Sequence, residues 1–337
     1  MICIGASVIH PAVQASHGAA RHSHRLAASP SGATMAAKQL RLPVVAASSR
    51  QDPTANMDPN SSPGMVSLSK RALLQGVAAG ILIQPFLAEL ALAAPKKVVV
   101  IGATGATGIK VVKELQAIGG LQVVAGVRNL DKAKKLGLEG LGVELVKLDV
   151  TSDVGAMAQA IGDADVVVCA TGFVPGNPFK MAEAAHQVDN VGTVNLVDAA
   201  VKAGVKKFVL VSSILTNGRG WGQENSAGFR ITNAFGGVLD EKLVAEKHLR
   251  SSGMDYTIIR PGGLKNEVSG KLAFSPEDTL ASGEVSRELV AKVMAQAAVL
   301  GSSSNKVVEI VETGTCAPGT CPDNLAAAPE SPEEWTF

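Results

Sequence analysis

Aromatic residues are scarce in this sequence: one tyrosine, two tryptophans and eight phenylalanines in 337 residues. No basic face accompanies them, so the chain lacks the stacking platforms and cationic grooves that hold nucleic acid, and nucleic acid is excluded as a partner. Cysteine is nearly as sparse, with four in the chain. Four thiols cannot form a disulfide framework for a chain of this length, so an apolar core must stabilise the fold. Cys316 and Cys321, in TCAPGTC, are open to pairing or to metal. Two sulfur ligands without a histidine cluster make a poor zinc site, and no metal is expected.

A third absence is local. Residues 1–50 contain five Lys or Arg and no Asp or Glu, amid many Ala, Ser and His. That composition fits an organelle transit peptide, plastid before mitochondrion, or a disordered arm in the same physical state. Lys70 and Arg71 then precede the apolar stretch ALLQGVAAGILIQPFLAELALAA, residues 72–94, which ends in the small-x-small pattern Ala91-Leu92-Ala93. A membrane span needs about 20 apolar residues. Gln75, Gln84, Pro85 and Glu89 oppose one, since mid-bilayer charge costs about 2.5–3.5 kcal/mol and proline removes a helix bond. A two-part signal, plastid transit followed by thylakoid transfer, fits residues 1–94. An uncleaved thylakoid anchor over 70–94 stays open as the alternative, and with it thylakoid association.

The remaining 243 residues carry 24 Lys or Arg against 27 Asp or Glu, a net charge of −3. They suit one α/β domain with a single core. Val/Ile-rich segments at 97–103, 122–128, 143–150, 165–171, 207–213, 256–260 and 307–311 read as strands. Their apolarity is nearly continuous, as in strands covered on both faces. Helical patterns fall at 108–118, 131–136, 154–161, 186–203, 238–251 and 286–300. This alternation predicts a Rossmann-type, doubly wound parallel sheet with helices on both faces, over residues 95–315, with ligands bound beyond the carboxyl ends of the strands. Two connections, 173–185 and 214–237, exceed the 12–15 residues of ordinary links and border that edge. The segment 316–337, rich in Pro, Ala and acids, reads as a disordered tail.

The most informative stretch is VVVIGATGATGIK, residues 98–110. Gly102 permits a tight turn after the first strand, Gly105 lets backbone amides approach a pyrophosphate, and Gly108 lets the following helix pack close. Thr104, Ala106 and Thr107 complete the loop, and the helix N-terminus faces the phosphates. The second strand ends in Gly126-Val127-Arg128-Asn129, with Lys132 beyond and no acid in the position that binds the ribose 2′-hydroxyl of NAD. The planar fork of Arg128 suits a 2′-phosphate, which favours NADP(H) over NAD(H); a solvent-facing arginine is the alternative. Asp131 reads as the cap of the next helix.

Further motifs are LDV at 148–150, CATG at 169–172, VDNVGTVNLVDAA at 188–200, FVLVSS at 208–213, KLVAEKHLRSSGMDYTIIRPGGL at 242–264 and SRELVA at 286–291. With the glycine motif they resemble the atypical short-chain dehydrogenase/reductases, and among them the plastid NAD(P)-binding, NmrA-like members of plants and algae. The resemblance spans roughly residues 96–312. It implies that Asp149 and Val150 lie beside the adenine, that Ala170, Thr171 and Gly172 run along the cofactor ribose, and that Pro261 and Gly262 lie beside the nicotinamide. It makes Ser213 the catalytic serine and Lys242 the lysine of a Tyr-x-x-x-Lys pair.

One departure matters. Where the resemblance implies a tyrosine, four residues before Lys242, the chain has Val238. Tyr256 lies in a strand pattern and reads as core. Lys242 retains two readings: anchor of the nicotinamide ribose, or surface partner of Glu246 one turn on, the latter giving about 0.3–0.5 kcal/mol. His186 and His248 read as solvated or capping, and Cys169 as a small buried hydrophobe. Arg219, Trp221 and Arg230 could grip an anionic or aromatic ligand, or simply face solvent. Two functions follow. One is an NADPH-dependent oxidoreductase of a small plastid metabolite, with Ser213, Lys242 or water replacing the tyrosine; the other is a non-catalytic NADP(H) sensor or scaffold. Substrate and oligomeric state are not legible.

Overall fold

The computed structural model describes residues 97–174, 176–332 and 335. The N-terminal segment 1–94, with its targeting and anchor readings, lies outside them. Among the described residues no helix is long and apolar enough to cross a membrane.

Strands and helices alternate as β1 (Lys97–Ile101), α1 (Gly108–Ile118), β2 (Gln122–Val127), α2 (Leu130–Lys135), β3 (Glu144–Lys147), α3 (Val154–Ile161) and β4 (Val166–Cys169). Next come α4 (Met181–Ala185), a π-helical segment (His186–Gly192), α5 (Thr193–Ala203), β5 (Lys207–Val211), α6 (Ala227–Asn233), α7 (Val238–Ser251) and β6 (Asp255–Pro261). The chain closes with β7 (Gly263–Lys265), β8 (Leu272–Pro276), β9 (Glu284–Ser286), α8 (Arg287–Val299) and β10 (Lys306–Glu312). The main sheet has the order β3-β2-β1-β4-β5-β6-β10-β8. Its pairs are parallel except β10 with β8. This is the expected doubly wound sheet, and its strand order reverses between β1 and β4, where such folds bind ligands.

The unbroken apolarity of β1 has a direct cause. Val98 and Val100 pack with Val111 and Leu115 of α1 and Val290 of α8. Val99 and Ile101 face the other way, onto Met157 of α3 and Leu196 of α5. Successive side chains of a strand point to opposite faces, so a strand roofed on both sides needs an apolar residue at every position. Each fully buried Val or Leu contributes about 1.5–3 kcal/mol before chain entropy is counted.

The helix expected over 186–203 continues from α4, and its residues 186–192 are π-helical. A Cβ on Gly192 would sit 2.7 Å from the Gln187 carbonyl oxygen and 3.0 Å from Val150 Cγ2. Thr193 Oγ1 donates to the Val188 carbonyl at 3.0 Å, satisfying an acceptor inside the widened turn. Apolar periodicity reports which face is buried, and a widened turn barely alters that.

Three short strands went unforeseen: β7 and β9 are three residues long, and β8 is an antiparallel edge. The tail departs from expectation more strongly. Ala327 bridges antiparallel to Ala273, and the Ala328 amide donates to the Leu272 carbonyl at 2.6 Å. Trp335 is buried and meets Phe274 edge-on, ring centroids 5.2 Å apart. Composition suggested disorder, but one tryptophan and an edge strand with unpaired backbone groups suffice to dock a polar segment.

Candidate functional site

The turn after β1 is tight and bare of side chains. Gly102 has φ +79°, and the Gly105 amide turns back onto the Gly102 carbonyl at 2.8 Å. A Cβ on Gly108 would sit 2.2 Å from the Gly102 oxygen, so the helix can start this close only with glycine there. A Cβ on Gly105 would come within 3.1 Å of the same oxygen. Gly105 and Ala106 are exposed. Among the described residues the amides of Thr104, Ala106 and Thr107 find no acceptor, and α1 has no side-chain cap. A bare glycine-lined turn with unpaired amides at a helix N-terminus fits a pyrophosphate.

A cleft of about 360 Å³ opens beside this turn. Arg128, Lys132, Asp149, Val150 and the 170–174 segment line it with Gly102, Thr104 and Gly105. Asn129, not Asp131, caps α2, its side chain accepting from the Lys132 amide at 2.8 Å. Arg128 and Lys132 are exposed, and neither has a carboxylate partner among the described residues. Asp149 Oδ1 accepts from the Thr151 amide (3.0 Å) and hydroxyl (2.9 Å), which orients the carboxylate at the cleft rim. On the far side of the turn, a Cβ on Gly102 would lie 3.1 Å from Ala170, so the β1 and β4 loops meet there.

Lys242 does not pair with Glu246. Glu246 is buried and bonded to Arg260, with Nη2 to Oε2 at 2.7 Å. Lys242 Nζ instead lies 2.7 Å from Asp189 Oδ1, with side-chain exposures of 16% and 1%. The second oxygen of Asp189 accepts from the Phe173 amide at 3.0 Å. Thr171, Thr193 and Ser212 enclose the pair, and a Cβ on Gly172 would come within 3.9 Å of Nζ. The lysine therefore stands beside the segment expected to follow the cofactor ribose. The motif at 188–200 contained Asp189, but nothing in its pattern marked that acid as inward-facing.

Ser213 is half-buried one residue past Ser212, and its hydroxyl bonds to none of the described residues. Ser212, by contrast, is buried and pairs with Thr216 at 3.2 Å. Pro261 is linked to this corner, accepting from the Ile214 amide at 3.0 Å. At position 262 glycine is required by packing: a Cβ would sit 2.5 Å from the Gly283 oxygen. Val238 is buried in an apolar cluster with Ile214, Leu215, Phe229 and Leu239. Burial pushes the Cys169 thiol up, which makes it a poor nucleophile. Arg219 grips Asp240 through two hydrogen bonds and lies over Phe229, so it is committed within the protein. Trp221 packs on the same apolar cluster, and Arg230 is exposed. His186 bonds Glu241 and His248 bonds Asp198, both on the surface. Tyr256 packs against the core beneath the sheet, as expected.

Residues 102–299 match the NAD(P)H-binding family. The chain belongs to that family. An uncharacterized chloroplastic protein of Arabidopsis thaliana is 49% identical over 222 residues, covering 64% of this chain and 76% of the relative. The chloroplastic protein TIC 62 of Pisum sativum is 37% identical over 249 residues, or 68% of this chain and 45% of that protein, so the chain spans less than half of it. Among solved structures, a putative NAD-dependent epimerase/dehydratase from Bacillus halodurans superposes with a TM-score of 0.56 at 30% identity, over 66% of this chain and 96% of that one. An anaerobillin reductase from Escherichia coli O157:H7 gives 0.53 at 26% identity, over 66% and 100%. The family member is thus an atypical short-chain dehydrogenase/reductase with a nicotinamide-cofactor site, and it is a chloroplast protein.

Proposed function

We propose that the protein is an NADP(H)-dependent oxidoreductase acting on a small plastid metabolite. The observation that carries this reading is the Lys242–Asp189 pair, whose ammonium lies 3.9 Å from where a Gly172 side chain would begin, in a small pocket that shares Thr171 with the cleft. Lys242 is a three-donor ammonium held in an ion pair by Asp189, which leaves N–H donors for ribose hydroxyls. Held by a buried carboxylate, it presents a fixed positive charge rather than a mobile surface one. The amides of Thr104, Ala106 and Thr107 would hold the pyrophosphate, and Arg128 with Lys132 the 2′-phosphate. Asp149 and Val150 would flank the adenine, and Pro261 would close the nicotinamide end. The cofactor, when bound, supplies the hydride. The chain positions it and must supply a proton, for which the Ser213 hydroxyl, unbonded among the described residues, or a water held by Lys242 is the candidate.

Calorimetry with NADPH and NADH tests the cofactor preference. The parent should favour NADPH, and Arg128→Asp should lower NADPH affinity about 10–100-fold, the equivalent of a lost charged hydrogen bond, with NADH nearly unaffected. Equal affinities in the parent would refute the preference. Oxidation of NADPH against a panel of quinones and aldehydes tests the reaction. One observation favours a second reading, a non-catalytic NADP(H) sensor or scaffold: Val238 fills the tyrosine position with a buried apolar side chain. A chain that binds NADPH but leaves the whole panel unreduced supports that second reading.

A further inference from the structure

Cys316 and Cys321 are joined as a disulfide five residues apart. Both are half-buried, while Ala317, Pro318 and Gly319 between them are exposed. The bridge rests on the turn at 281–283. Ser282 Oγ accepts from the Ala317 amide at 2.8 Å, and the Thr320 carbonyl accepts from the Ala281 amide at 2.8 Å. A Cβ on Gly283 would meet Cys316 Sγ at 3.4 Å. The same turn forms the wall behind Gly262: the Gly263 amide donates to the Gly283 carbonyl at 2.8 Å. Pro261 in turn accepts from Ile214, next to Ser213. A continuous path therefore runs from the half-buried disulfide through 281–283 to the corner where β5 and β6 end.

We infer that Cys316–Cys321 is a thiol–disulfide exchange site for a reduced protein dithiol, and that its reduction releases the 281–283 wall. A thiolate of the dithiol attacks one sulfur of the bridge, a mixed disulfide forms, and the other cysteine leaves as a thiolate that takes up a proton. The second thiol of the partner then displaces the mixed disulfide. The bridge gains two electrons and two protons, and the partner is oxidised to its own disulfide. The short loop makes the site local: opening it frees 317–320 from the turn, while Trp335 on Phe274 holds the end of the tail. Cys169, buried in β4, takes no part.

The test uses the full chain purified without reductant. Native protein is treated with dithiothreitol or with a thioredoxin-type dithiol protein, alkylated and mapped by mass spectrometry. Cys316 and Cys321 should be labelled together within minutes, and Cys169 should stay unlabelled. Amide exchange at 262–264 and 281–285 should then speed up about tenfold or more, as for a local opening, while β1 to β5 keep their protection. A Cys316→Ser/Cys321→Ser double variant should show the fast exchange without reductant and no response to dithiol. Cys316 and Cys321 already free in the protein as purified, a bridge reducible only after denaturation, or unchanged exchange at 281–285 on reduction would each overturn the proposal. If the double variant fails to fold, the reduction of the parent still decides it.

Discussion

The carboxylate of Asp189 holds Lys242 Nζ at 2.7 Å with one oxygen and the Phe173 amide at 3.0 Å with the other. One buried group thus ties together the π-helical segment, the start of the long loop after β4 and helix α7. Its hydrogen-bonding capacity is divided between a charge and a backbone donor, so neither partner can be removed neutrally.

Lys242→Met should therefore act twice. It leaves Asp189 buried without its cation, a loss of about 3–5 kcal/mol in stability. It should also weaken NADPH binding by about 1–3 kcal/mol. Denaturant melts and calorimetry measure the two effects separately. A double variant with Asp189→Leu should recover much of the stability but not the affinity. Unchanged NADPH affinity in Lys242→Met would remove the anchor role.

Gly105 and Gly108 should respond differently to alanine. Gly108→Ala forces a contact that starts at 2.2 Å and involves backbone. Both thermal stability and cofactor binding should fall, the former by about 2 kcal/mol or more. Gly105 is exposed and its added Cβ would start at 3.1 Å. Gly105→Ala should keep stability within about 1 kcal/mol while reducing the NADPH-dependent rise in melting temperature. Equal stability losses in the two variants would contradict this account of the turn.

Glu312 gives a pH signature. Burial raises its pKa, but Lys265 and the amides of Ser269, Ser286 and Gly270 outweigh that and hold it at about 2, against 4.5 for the free group. A depressed carboxyl contributes stability that is present above the unfolded value and lost as pH falls through the folded one. The stability gap between the parent and Glu312→Gln should thus be full at pH 6, shrink below pH 4.5 and nearly vanish by pH 2. Its size should be about 3 kcal/mol. Urea melts across this range measure it, and a gap independent of pH would refute the assignment.

Val238→Tyr should not restore a proton donor. Position 238 is buried among Ile214, Leu215, Phe229 and Leu239, so a phenol there overpacks the cluster and costs about 1–3 kcal/mol, with its hydroxyl left to find a partner. The variant should melt earlier and show no gain in NADPH oxidation. A gain in turnover at unchanged stability would show that the side chain at 238 reaches the cleft.

The alternation of strands and helices and the tight glycine turn after β1 were legible because their signals are local. Gly102 and Gly108 encode a backbone that other residues cannot adopt or fit, and β-branched runs encode double burial. The bounds of α1, α3 and α7 follow from the same periodicity. Short strands such as β7 and β9 hold too few residues to show a period, and the π-helical segment barely changes one.

By itself the sequence determined the α/β class, the glycine turn after β1, the basic character of the residues after β2 and the absence of a tyrosine before Lys242. Each depends on residue type at a fixed spacing. Only the tertiary structure decided which acid Lys242 meets, that Glu246 belongs to Arg260, that Cys316 and Cys321 are joined, and that the tail docks through Trp335. Those are pairings between groups far apart in the chain or of ambiguous chemistry. Sequence spacing says which residues can share a helix face, but burial and approach across the fold determine which charges must be paired.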